Sequence, residues 1–75
     1  MMNIDLVNSW MSGDRVVGVS FYLNDSVQIE AGPNRGEVGA VISLNEIDPE
    51  PIYTIELSSG ADVVVNQTSL RKIED

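Results

Sequence analysis

Twelve Asp and Glu against four Lys and Arg give this chain of 75 residues a formal net charge of −8. A chain that short forms one domain, near the lower size limit for folding without staples. It contains neither cysteine nor histidine, so disulfides, thiolate zinc sites, cysteine nucleophiles and the usual near-neutral general base are excluded. The negative field repels phosphate backbones and anionic membranes, and it favours solubility and basic partners. Met1 to Val7 lack a basic n-region and a continuous apolar h-region, so no signal peptide is expected. No run approaches the roughly 20 apolar residues of a membrane span. The expected location is the cytoplasm, with which a lack of disulfides is compatible.

Asn3 to Met11 reads as the start of a short helix. Ile4, Val7 and Met11 fall at helical spacing, and Leu6 meets Trp10 four residues on. Asn3 is the expected N-cap and Gly13 the stop; a strand and a mobile arm are the alternatives. Arg15 to Leu23, R-V-V-G-V-S-F-Y-L, is rich in β-branched and aromatic residues and predicts an extra strand, with Gly18 as a bulge or close-approach point. That strand would cover a barrel edge or pair with its copy in a second molecule. Asn24-Asp25 supplies turn chemistry.

Val27, Ile29 and Ala31 then alternate with Ser26, Gln28 and Glu30, the period-two pattern of a half-buried strand. Gly32-Pro33-Asn34-Arg35-Gly36 breaks it, and Glu37 to Leu44 forms the next strand, interrupted by Gly39. Asn45 to Pro51 carries two prolines and three acids and reads as a loop. Ile52 to Leu57 alternates again, with Tyr53, Ile55 and Leu57 on one face. Ser58-Ser59-Gly60-Ala61 turns into Asp62 to Asn66, where Val63 and Val65 share a face. Gln67-Thr68-Ser69 suggests a 3₁₀ turn, and Leu70 to Ile73 a short closing strand. The expected fold is all-β: residues 1–20 form an N-terminal arm (short helix plus extra strand), and residues 21–75 a small five-stranded barrel.

The stretch V-Q-I-E-A-G-P-N-R-G-E-V-G-A-V at Val27 to Val41 resembles the KOW motif, which opens a small SH3-like β-barrel in ribosomal and transcription-elongation proteins. The resemblance covers about residues 22 to 74. In that family the first strand carries alternating aliphatics, a G-P-x-x-G-type loop turns the chain, and a later glycine lets strands cross closely. Gly32, Gly36 and Gly39 stand at those places, where a tightly cornered barrel needs residues without a Cβ. Y-T-I-E-L-S-S-G-A-D-V-V-V-N-Q-T-S-L-R-K-I is similar to the second half of an SH3-like barrel. KOW domains that bind RNA carry Lys and Arg around the first loop and the outward strand faces. Here those positions hold Ser26, Gln28, Glu30 and Glu37, with Arg35 alone in the loop. The resemblance therefore implies the fold without the RNA-binding function, and fold alone does not settle function.

No P-loop, nucleophile elbow or dinucleotide fingerprint is present, and a barrel this small offers little concavity for paired carboxylates. The expectation is a non-catalytic protein with no cofactor and no metal. Glu46, Asp48 and Glu50 alternate with Ile47 and Pro49, without the spacing or glycine of a calcium-binding loop. They read better as a solvated acidic loop that meets a basic protein. Trp10, Phe21 and Tyr22 are the apolar candidates for a partner surface. Their alternative role is to fold back and cap their own barrel. Arg35 is the remaining loop candidate, with solvation or pairing to Glu37 as its plain alternative.

The expected function is that of an SH3-like protein–protein interaction module in a bacterial cytoplasm. Its partner would be a protein, basic in character, or a second copy of itself. The alternatives are a KOW-type nucleic-acid-associated module, which needs Arg35, Arg71 and Lys72 to cluster, and an acidic inhibitor or immunity-type protein.

Overall fold

A computed structural model describes residues 4–74; Asn3, the expected N-cap, lies outside the described residues. Helix α1 spans Ile4–Met11, and strands β1 to β5 span Ser26–Ile29, Val38–Glu46, Ile52–Leu57, Asp62–Asn66 and Leu70–Lys72. A 3₁₀ turn, Gln67–Ser69, joins the last two strands. The strands form one antiparallel sheet in the order β4-β3-β2-β1-β5. β1 to β4 make a meander, and β5 returns to pair with β1. The all-β, five-stranded architecture with a short N-terminal helix is thus present.

Alternation dictates which faces turn inward. Val27 and Ile29 of β1, Val41 and Leu44 of β2, Tyr53, Ile55 and Leu57 of β3, and Leu70 of β5 are all buried. β2 is longer than the period-two pattern suggested, running on to Glu46. Its register against β3 shifts between Val41 and Ser43 and again between Leu44 and Glu46. Such bulges bend a strand and raise its twist, which lets one long β2 wrap the core. The acidic loop therefore begins later, and it contains a cis Asp48–Pro49 peptide. At the other end of β2, Gly39 lies opposite Leu57. A Cβ there would collide with the Glu56 carbonyl and sit 2.8 Å from Ile55 Cγ2, so the approach of β2 to β3 requires glycine.

The extra strand expected over 15–23 does not form; these residues run as an irregular strap. Gly18 takes φ +83° in a turn, and the strap's polar backbone groups find side chains instead of a neighbouring strand. The Val16 N–H donates to Tyr22 Oη at 2.8 Å, and the Ser20 N–H to Gln67 Oε1 at 2.9 Å. Val16, Val19 and Phe21 point inward and join Trp10 in the same core as the strands. Helix, strap and sheet share one hydrophobic interior.

Candidate interaction surface

Trp10 is 1% exposed, and its indole N–H donates to the Phe21 carbonyl at 2.8 Å. Phe21 is also buried and meets the Tyr53 ring edge-on at 5.6 Å between centroids. Tyr22 is half-buried and stacks on Trp10 at 6.3 Å. Trp10 and Phe21 therefore serve the interior of their own chain. As contact residues they are a correction to the sequence-based expectation: an arm of this length covers the end of the sheet, since a small barrel needs that cover. The large apolar residues that the arm leaves outside are Ile4, Leu6, Met11 and Val17, the last 98% exposed.

Of the acidic loop, Glu46 and Asp48 are exposed. Glu50 turns inward to accept hydrogen bonds from Asn66 Nδ2 at 3.0 Å and from the Thr68 N–H at 3.2 Å. The Asn66 side chain, then Thr68, hold its carboxyl below the usual glutamate value. Glu50 thus pins the loop to the end of β4, and the three carboxylates do not converge. Among the described residues no group of three or more His, Asp or Glu side chains is arranged to hold a metal ion.

Arg35 stands in the exposed turn between β1 and β2, where its N–H donates to the Gly32 carbonyl. Arg71 and Lys72 lie on β5, away from that turn in the chain, and each has an acid of its own. Arg71 Nε is 2.6 Å from Glu30 Oε1, and Arg71 also donates to Gln28; Lys72 Nζ is 3.9 Å from Asp25 Oδ1.

The outward side of the sheet is organised by register. Ser26, Ala40, Glu56 and Asp62 lie directly opposite one another in turn across β1, β2, β3 and β4. Paired residues share a face, so Glu56 and Asp62 project side by side into solvent. Glu46, opposite Ile52, projects on the same side of β2. Between them the Asn45 side chain hydrogen-bonds to both Ser43 and Thr54, and Ile42 and Val64 add exposed apolar area. Among the described residues none of Glu46, Glu56 and Asp62 has a cation within salt-bridge distance. The outer surface of β2 to β4 is acidic and unneutralised, whereas the cations of β5 are matched.

Sequence reasoning singled out Glu46 but missed Glu56, Asp62 and Val64. The signal was available for the first two. The hairpin loop Ser58-Ser59-Gly60 sets Leu57 against Ala61, which places Glu56 opposite Asp62.

No family model and no curated protein matches this chain. A chain in the crystal structure of the MjSpt4:Spt5 complex, conformation B, is similar in structure, with a TM-score of 0.62 at 19% sequence identity. The match covers 99% of this chain and 50% of that one, so this chain spans about half the length of its neighbour. The likeness is one of fold, and it supports the KOW-like, SH3-like small β architecture. No helix among the described residues is long and apolar enough to cross a membrane.

Proposed function

We propose that this chain is a non-catalytic SH3-like module that docks onto a basic protein through the outward surface of β2 to β4. The observation that carries the reading is the unmatched set Glu46, Glu56 and Asp62 on a surface without a cation. Glu56 and Asp62 stand directly opposite each other, an arrangement that costs stability. A partner cation relieves that repulsion, whereas a phosphate backbone aggravates it. The absence of cysteine accords with a cytoplasmic setting. The structural neighbour belongs to a complex of two proteins, which accords with a docking role.

The test is capture from native lysate at low salt, with and without nuclease. A basic protein retained in stoichiometric amount after nuclease, and released as salt screens exposed charge, is the expected result. A nuclease-sensitive ribosomal or polymerase cohort would overturn the reading in favour of a nucleic-acid-associated module.

A further inference from the structure

β4 is an edge strand, paired with β3 alone. The hydrogen bonds at its two ends fix which of its backbone groups are used. The Leu57 N–H donates to the Ala61 carbonyl, and the Gln67 N–H to the Pro51 carbonyl. Hydrogen-bonded pairs alternate with non-hydrogen-bonded ones in an antiparallel ladder. Ile55–Val63 and Tyr53–Val65 are therefore the bonded pairs. Asp62 and Val64 turn their N–H and C=O groups away from β3, and among the described residues no partner takes them; Asn66 turns its N–H the same way, while its carbonyl caps the 3₁₀ turn.

The two edges of the sheet differ in how they are guarded. β5 has three residues, two of them Arg71 and Lys72, and short, charged edges resist further pairing. β4 has five residues, D-V-V-V-N, with Val64 65% exposed and a single charge at one end. Beside it runs a groove of about 250 Å³ between the β4 edge and the β1–β2 turn, lined by Ile29, Ala31, Pro33, Val65, Asn66 and Ser69.

We infer that β4 accepts an extended segment of the partner as an added strand, and that this segment alternates basic and apolar residues. The inference rests on the docking reading and specifies how the docking is done. Main-chain hydrogen bonds to Asp62, Val64 and Asn66 supply affinity, and side chains supply selection at every second residue. Partner residues opposite Val63 and Val65 turn toward the groove and are aliphatic. The partner residue opposite Asp62 turns outward, where Asp62 and Glu56 lie side by side, and is Lys or Arg. A second copy of this chain fits the same edge less well, because it brings a net charge of −8 against an equal one.

The probe is a synthetic peptide of alternating lysine and valine, long enough to pair with all of β4. Its control is the same peptide N-methylated at the residues whose N–H groups would face β4, which keeps the charge and removes the donors to the β4 carbonyls. The expected result is binding of the unmodified peptide with amide shifts centred on Asp62, Val64 and Asn66, and a loss of about tenfold or more for the control. Val64→Pro should bind as weakly as the control does. Its N–H points away from β3, so proline is tolerated there and the fold persists.

Equal binding of both peptides would overturn strand addition while leaving charge-driven docking intact. Failure of both peptides, with a basic protein still captured through the acidic surface, would do the same. Concentration-dependent doubling of mass with protection of the β4 amides would overturn the proposal in favour of a second copy.

Discussion

The Tyr53 hydroxyl donates to Gln67 Oε1, and through Gln67 the centre of the sheet is tied to the strap. Gln67 Oε1 also accepts the Ser20 N–H at 2.9 Å, while Gln67 Nε2 donates to the Gly18 carbonyl at 3.0 Å. The Phe21 N–H reaches Tyr53 Oη at 3.4 Å. One amide side chain in the 3₁₀ turn thus satisfies a segment that has no strand partner. Gln67→Ala removes three of these bonds together: the exposed Ser20 N–H and Gly18 carbonyl turn to water, while the buried Tyr53 hydroxyl loses its acceptor, which costs about 1–3 kcal/mol. Urea unfolding should show a loss of about 2 kcal/mol, with faster amide exchange at Ser20 than at Val41. Unchanged exchange at Ser20 would mean that the apolar residues hold the strap without the latch.

Gly39→Ala tests the closeness of β2 to β3. The added methyl meets backbone on one side and Ile55 Cγ2 at 2.8 Å on the other, and backbone cannot move aside as a flexible side chain can. Overpacking of this kind costs about 1–3 kcal/mol or more, so the variant should melt well below the parent. Gly60→Ala makes a useful comparison. There the Cβ meets nothing within 4 Å, and the penalty comes only from φ +94°.

Two titrations carry stability in opposite directions. Burial lifts the Tyr53 phenol above its ordinary value of 10.0, outweighing the backbone N–H groups of Phe21 and Ser20 that favour the anion. The folded chain then keeps a proton that the unfolded chain has lost. The contribution is complete below pH 10 and is lost as pH rises through the folded value. Tyr53→Phe should flatten the alkaline fall in stability. Glu50 behaves in reverse, because the Asn66 side chain, then Thr68, holds its carboxyl below 4.5. Its contribution is present above pH 4.5 and is lost as pH falls through the folded value. Glu50→Gln should flatten the acid limb, read as melting temperature against pH.

Legibility in the sequence followed the range of the interactions. Val27 and Ile29 alternate with polar neighbours, so β1 could be read from residues that touch in sequence, and Gly39 on β2 marks a close crossing whose contacts lie on the next strand, at Ile55 and Glu56. The hairpin from Leu57 to Ala61 was legible for the same reason. The strap misled because R-V-V-G-V-S-F-Y-L has strand composition. Yet its buried residues are Val16, Val19 and Phe21, a spacing that alternation does not produce. What decides its path is Gln67, 47 and 49 residues from the groups it holds, and nothing local announces such a bond. Trp10 is buried in its own chain's core, and amphipathic spacing cannot say whether the surface that such a residue anchors belongs to a partner or to the same chain.

The measurement that bears most directly on the docking reading compares the parent chain with Glu56→Gln/Asp62→Asn in stability and in partner capture. Removing the opposed charges should raise stability by about 0.2–1 kcal/mol, since neither carboxylate has a cation among the described residues. The same variant should retain about a tenth or less of the nuclease-resistant protein partner at low salt. A variant that gains stability and loses its partner is what a surface held for binding predicts. A variant that captures the partner as well as the parent does would show that the acidic surface only keeps the protein soluble, and would contradict the account.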